Sequence, residues 1–306
     1  MDTPRRLRIF VATRRERVPA ACVRYASVDG AVPGAAVTWD HHQTGEAINL
    51  DALPALIDTS NLDGVGTTLA DTDALASVVA MLSGGPSRLP PQALAVLAAA
   101  SFRCDHLRPH PDYSPEVDDL GTRLDNYVGG TLALARPCRV SGVFARLCCE
   151  VWQAIQEGRT LPGRDTPAWA HLVARAEAEG RLRTVGAVLV VDLLGRWRAP
   201  VRPDAWYAAR PGCRLAVVVD RHPGGGRRFV VGQNPYFPES TNMIPLLEAL
   251  AAAEFGHGPP ALGPHARPGM ENWGGREQVG GSPWNYGSRL GVDEVVRVVN
   301  ESLGAA

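Results

Sequence analysis

The chain has 306 residues, which suits one large domain or two modest ones, and either arrangement can bury a real core. Its formal net charge of −1 leaves no global field to hold long nucleic acid or an anionic membrane surface. Apolar residues at 45% and charged residues at 21% are ordinary for a globular protein.

The N-terminus is rich in arginine, but it has no continuous apolar stretch and no small-residue cleavage site, so a cytoplasmic protein is expected. No run approaches the roughly 20 apolar residues that span a bilayer. Leu7 to Ala12 reads as a short buried strand, Ala21 to Val28 as a second that ends at Asp29-Gly30, and Ala35 to Trp39 as a third that ends at Asp40-His41-His42. Leu53 to Ile57 reads as a helical turn. Gly66 to Ala70 reads as a brief strand running into Asp71-Thr72-Asp73. A helical face follows from Ala74 and stops at Gly84-Gly85-Pro86. Gln92 to Phe102 forms a second apolar helix, ending at Asp105-His106.

Three prolines make Pro109 to Pro115 a loop. Helices are expected over Glu116 to Val128, Val143 to Gln156 and Pro167 to Glu179. After Gly180 the texture turns strand-rich, with strands at Val185 to Val191, Leu215 to Val219 and Arg228 to Val231. Pro223 to Arg228 reads as a hairpin turn. Helices at Met243 to Phe255 and Val292 to Ser302 enclose a Gly-, Pro- and Asn-rich stretch from Gly256 to Arg289. The six cysteines lie in expected core elements and read as reduced, buried thiols. The expected fold class is α/β. Residues 1–180 form an N-terminal domain with a mainly parallel sheet, and residues 181–306 a smaller α/β domain across a cleft.

Three acidic and imidazole clusters fall at element ends: Asp40-His41-His42, Asp71-x-Asp73 and Asp105-His106. In open α/β sheets the C-terminal ends of the strands converge on one crevice. Carboxylates mixed with imidazoles suit Mn²⁺, Fe²⁺ or Zn²⁺, whereas Mg²⁺ prefers oxygen and water alone. Each cluster also has a plainer reading. An Asp before a helix caps it, a His-His pair occurs in loops and cores, and a His at a helix C-terminus answers the macrodipole. Asp29 and Asp63, each beside a glycine, read as turn residues.

Thr38 to Thr44, carrying Asp40-His41-His42, resembles the strand end that names the DHH phosphoesterase superfamily. Asp71 to Ser77 resembles that superfamily's Asp-x-Asp motif, and Asp105 its later isolated Asp. The two motifs stand in reversed order here. The resemblance implies a Mn²⁺ site in the first domain, with Zn²⁺, Fe²⁺ or Mg²⁺ as alternatives, and Asp40, His41, Asp71, Asp73 and Asp105 as metal ligands. Asp73 and His42 would do catalytic work, His42 as ligand or acid. It also implies a Gly-rich substrate loop in the second domain. Asn272 to Arg289 resembles such a loop, with Arg276 where the family has His. Gly274, Gly275, Arg276, Ser282 and Arg289 would hold the substrate anion through open backbone N–H groups and guanidinium charge.

The function expected is a metal-dependent hydrolase, a phosphoesterase acting on a small phosphorylated or nucleotide-like substrate. The alternatives are a hydrolase of an amide at the same site and a binding or regulatory module for a small anionic ligand. The expected partner is a small anionic substrate, with no long nucleic acid and no membrane. A homodimer is compatible with this reading.

Overall fold

The computed structural model describes residues 7–106, 108–165, 170–194, 206–222, 225–234, 237, 241–255, 271–275 and 277–304. The chain divides into two compact units, Met1–Ala168 and Trp169–Ala306.

The first unit is built on β1 (Arg8–Val11), β2 (Tyr25–Val28), β3 (Val37–Trp39) and β4 (Gly64–Thr67), in the order β1-β4-β2-β3 with every pair parallel. The central strands β2 and β4 are buried at every residue, as strands covered on both faces are. Parallel strands run the same way, so the residues that follow them leave the sheet at one edge. Those residues include Asp29 after β2, Asp40 after β3 and the turn from Thr68 to Asp71 after β4.

Helices α1 (His41–Thr44), α2 (Thr72–Leu82), α3 (Pro91–His106), α4 (Pro115–Ala133) and α5 (Val140–Gln156) complete the unit. In α2 every residue from Thr72 to Met81 is buried, including the polar Thr72, Asp73 and Ser77. An all-round buried helix carries such groups only when they are hydrogen-bonded. Its apolar residues join β2, β4, α3 and α5 in one core that includes Val65, Leu75, Val79, Leu97 and Phe144.

Among the glycines that permit close approach in this unit are Gly66 and Gly121. A Cβ on Gly66 would stand 2.5 Å from the Phe10 ring, and one on Gly121 would stand 2.7 Å from Ala99 Cβ and 2.9 Å from Ala100 N. Gly121→Ala forces α4 off α3. A loss of about 1–3 kcal/mol in denaturant unfolding is expected, despite alanine's better helix propensity.

The second unit contains α6 (Ala170–Ala178), β5 (Leu182–Val185), β6 (Val188–Asp192), β7 (Leu215–Arg221), β8 (Arg227–Gln233), α7 (Met243–Phe255), β9 (Gly274–Gly275), β10 (Val279–Gly281) and α8 (Val292–Ser302). Its six strands run in the order β5-β6-β7-β8-β10-β9, with only β6 and β7 parallel. Alternate residues serve two cores. Val188, Val190, Val217 and Val219 pack with α7 and α8, while Leu189, Val191, Ala216 and Val218 pack with Leu172, Trp206 and Tyr207. Burial on both faces explains the continuous apolar runs of β6 and β7. The fold is thus α/β, with a parallel sheet in the first unit and a mixed sheet in the second.

Several local expectations change. The single strand expected at Val185 to Val191 is two, folded into a hairpin at Gly186, whose φ of 59° is left-handed. The division falls at Ala168/Trp169 rather than near Gly180, because Leu172, Val173 and Ala176 of α6 pack on Leu182 and Leu189 of the second sheet. The stretch from Leu53 to Ile57 is irregular loop with bends rather than helix. Of the cysteines, Cys22, Cys148 and Cys213 are buried, whereas Cys138 and Cys149 are exposed and Cys104 is half-buried. No helix among the described residues is long and apolar enough to cross a membrane.

Candidate metal centre

The centre forms where β2, β3, α2 and α3 deliver side chains to one edge of the parallel sheet. β3 ends at Asp40, which caps the short helix α1 through a hydrogen bond from His42 N at 3.1 Å to its Oδ1. That cap sets His41 and His42 on the first turn of α1. His41 turns fully inward, whereas His42 keeps 58% of its side chain exposed. The chain then leaves α1 through Gly45, whose φ of 80° is left-handed.

Asp29 ends β2 with a φ of 48°, a conformation that Asp tolerates better than most residues. Its N–H donates to the Trp39 carbonyl at 3.1 Å, and its own carbonyl accepts from Thr67 Oγ1 at 3.1 Å. Asp71 caps α2 by accepting from Ala74 N at 2.9 Å, which places Asp73 in the first turn, pointing into the protein. Asp105 lies in the last turn of α3 and is 16% exposed.

His41 Nε2 is the meeting point. Asp29 Oδ1 stands 3.3 Å from it, Asp73 Oδ2 3.4 Å and Asp105 Oδ2 3.3 Å. His42 Nδ1 stands 3.7 Å from the same Asp29 oxygen and 2.9 Å from Asp40 Oδ1. Asp73 also accepts from both sides of the core: from Asn49 N at 3.2 Å to each oxygen, and from the Ser101 hydroxyl. Behind the cluster, the Thr72 hydroxyl donates at 2.6 Å to the fully buried Asp125, which ties the start of α2 to α4.

The charges are in conflict. Burial pushes the Asp29 carboxyl well above the usual carboxylate range, and the charges of Asp71, Asp73, Asp105 and Asp40 push it further. Burial does the same to Asp73, helped by Asp105 and Asp71 and opposed by the hydrogen bonds from Ser101 and Asn49. For Asp40 burial acts upward as well, but the hydrogen bonds and charge of His42 outweigh it and hold the carboxyl below its ordinary value.

A divalent cation fits this donor set. Ligand atoms about 2.1 Å from a common ion lie about 3.0 Å apart in an octahedron and about 3.4 Å apart in a tetrahedron. The spacings around His41 Nε2, 3.3 to 3.4 Å, are of that size. Two overlapping groups could hold an ion, Asp29-His41-His42 and His41-Asp73-Asp105, each with its ligand atoms within 4.8 Å of one another.

Of the residues expected from the sequence, His41, His42, Asp73 and Asp105 come together here. Asp40 and Asp71 stand at the margin as helix caps, with Asp40 on His42 and the charge of Asp71 acting on Asp29 and Asp73. From its Asp-Gly context Asp29 is expected to be a turn residue. The structure places it in the centre of the cluster, only 6% exposed. The signal was present, since Asp29, like Asp40, ends a strand of the same sheet.

In the second unit the described part of the glycine-rich stretch, residues 271–275 and 277–289, contains β9, β10 and turns, and residues 256–270 lie outside the described residues. Gly275 and Gly280 face each other across β9 and β10, where a Cβ on Gly275 would meet the Val279 carbonyl at 2.3 Å. The glycines at these two positions answer to close packing, whereas a Cβ on Gly274 would meet nothing within 4 Å. Ser282 uses its hydroxyl to accept from Phe229 N at 3.0 Å. Glu254, buried on α7, accepts from Trp273 Nε1 at 3.2 Å, from Arg289 N at 2.9 Å and from the Ser288 hydroxyl. Trp273 therefore packs the segment down, while Trp284 is 40% exposed. Arg276 lies outside the described residues.

No family model matches the chain, and no curated protein matches it. Among solved structures it is similar to the pGpG-specific phosphodiesterase PggH from Vibrio cholerae, at 14% identity and a TM-score of 0.41, over 92% of this chain and 99% of that one. It is also similar to an uncharacterised protein from Helicobacter pylori G27, at 11% identity and a TM-score of 0.24, over 76% of this chain and 54% of that one.

Proposed function

We propose that the chain is a metal-dependent hydrolase that cleaves a phosphoester of a small phosphorylated or nucleotide-like substrate. One observation carries the reading: a single buried imidazole nitrogen ringed by three carboxylate oxygens at 3.3 to 3.4 Å. Such an excess of buried negative charge is stable only when protons or a cation neutralise it. The choice of a phosphoester rests on the Asp40-His41-His42 and Asp71-x-Asp73 motifs.

In this reading His41, Asp73 and Asp105 are the inner ligands, Asp29 and His42 form the overlapping group around the same His41, and Asp71 adds charge beside them. The mixture of imidazole and carboxylate favours Mn²⁺ over Mg²⁺, with Zn²⁺ and Fe²⁺ as alternatives. When bound, the ion supplies Lewis acidity, which makes water acidic and offsets charge on the group being cleaved. The protein's own residues do the rest. A carboxylate only accepts, so Asp40 keeps the proton of His42 on Nδ1 and fixes the exposed ring. His42 is then placed to orient the attacking water or to protonate the leaving group. From the resemblance of the Asn272 to Arg289 stretch to a substrate loop, Gly274 and Arg289 are assigned to the substrate anion, whereas Gly275 serves the packing of β9 and β10 and Ser282 the Phe229 N–H.

The test is elemental analysis of protein purified without chelator, followed by hydrolysis of bis-p-nitrophenyl phosphate with Mn²⁺. The expected result is bound divalent metal and turnover that EDTA abolishes and Mn²⁺ restores. Arg289→Ala should raise KM and leave metal content unchanged. Metal-free protein without turnover contradicts the reading, and metal binding without phosphodiester cleavage moves it to another bond.

A further inference from the structure

Asn49 belongs to none of the motifs, yet it touches both sides of the centre. It is fully buried, held between the core residues Ile48 and Leu50. Its Oδ1 accepts from His41 N at 3.0 Å. Its Nδ2 donates to Ser77 Oγ at 2.9 Å, one helical turn beyond Asp73 on α2. Its backbone N–H reaches both oxygens of Asp73 at 3.2 Å. Two residues earlier, the Ala47 carbonyl meets His106 Nε2 at 2.9 Å, next to Asp105.

The sequence from 45 to 50 is therefore a clamp between the elements that carry His41, Asp73 and Asp105. From these contacts we infer that Asn49 is the positioning residue of the metal centre: its amide sets the separation of His41 on α1 from Asp73 on α2. The inference rests on the metal reading above. The amide suits the place because it offers an acceptor to an N–H and a donor to a hydroxyl without adding charge to a cluster already crowded with carboxylates. Partners that orient metal ligands typically change affinity or activity 10- to 100-fold on removal, by about the amounts seen for other outer contacts.

The experiment compares the full-length wild type with Asn49→Leu, Asn49→Ser and Asn49→Asp. Each is titrated with Mn²⁺ by calorimetry, its thermal midpoint is read in EDTA, and the Mn²⁺ electron paramagnetic resonance spectrum is recorded. Leu and Ser remove the link between His41 N and Ser77 Oγ. An increase in Kd for Mn²⁺ of about tenfold or more is expected, with a changed Mn²⁺ spectrum. Asp keeps the acceptor for His41 N, and the Ser77 hydroxyl can reverse to donate to the second oxygen. Asn49→Asp should therefore bind Mn²⁺ at least as tightly as wild type, with the wild-type spectrum, even though its added charge lowers the midpoint in EDTA. This separation of affinity from stability is the signature of positioning.

If Mn²⁺ affinity falls in step with the midpoint in all variants, Asn49 is only structural and the inference is overturned. Unchanged affinity and spectrum in Leu and Ser overturn it as well. Should Leu fail to fold, Ser and Asp carry the comparison. A wild type that binds no Mn²⁺ removes the metal reading itself, an outcome distinct from binding that ignores Asn49.

Discussion

Asp73→Asn is expected to lose metal and activity together while the fold survives. Asp73 is fully buried, 3.4 Å from His41 Nε2, and burial with the neighbouring carboxylates disfavours its charged form. Asparagine keeps the shape and one oxygen to accept from Asn49 N and Ser101 Oγ. It removes the charge that draws a cation and relieves the repulsion from Asp105 and Asp71. The thermal midpoint in EDTA at neutral pH should stay level or rise. Turnover should fall by several kcal/mol of transition-state stabilisation, roughly 10²- to 10⁴-fold. Metal content by elemental analysis should fall with it. A variant that keeps both metal and turnover would leave Asp73 with a structural role only.

The metal-free protein should lose stability as pH rises, and metal should remove that dependence. The direction follows from Asp29 and Asp73, both held well above the ordinary carboxylate value of 3.8. A carboxyl with a raised folded-state pKa contributes stability that is fully present below the unfolded value and is lost as pH climbs through the folded value. Asp40 runs the other way, because its lowered pKa gives stability above 3.8 that is lost as pH falls. Above about pH 4, then, Asp29 and Asp73 set the slope, at up to about 1.4 kcal/mol per pH unit for each proton retained by the folded state. Thermal midpoints in EDTA at about pH 5, 6, 7 and 8 should decline. With saturating Mn²⁺ the decline should vanish or reverse, because the ion displaces the protons. A flat or rising series in EDTA would mean that the carboxylates carry no such strain.

The sequence showed this centre unevenly, for reasons that lie in the residues. His41, Asp73 and Asp105 stand beside strand and helix ends that hydrophobic periodicity locates well, and parallel topology brings those ends together. Asp29 was harder, because Asp-Gly after a strand is also the chemistry of a turn; its left-handed φ fits the turn, while its carboxylate stands 3.3 Å from His41 Nε2. Asp40 and Asp71 cap helices while standing beside the cluster, so capping and participation did not exclude each other. Asn49 could not be found by pattern, since its partners are 8, 24 and 28 residues away and meet only in the fold. The sheet order β1-β4-β2-β3 is likewise a property of long-range pairing. In the second unit, the apolar run from Val185 to Val191 concealed a hairpin because a lone Gly186 marks the turn and the preceding strand, Leu182–Val185, carries the polar Arg183 and Thr184.

The most direct test of the central claim is diffraction from crystals grown with Mn²⁺, with data collected at the manganese absorption edge. An anomalous peak within about 2.0–2.6 Å of His41 Nε2 and of carboxylate oxygens from Asp29, Asp73 or Asp105 is the expected result. A centre that stays empty at millimolar Mn²⁺, or a peak bound only elsewhere on the protein, would contradict it.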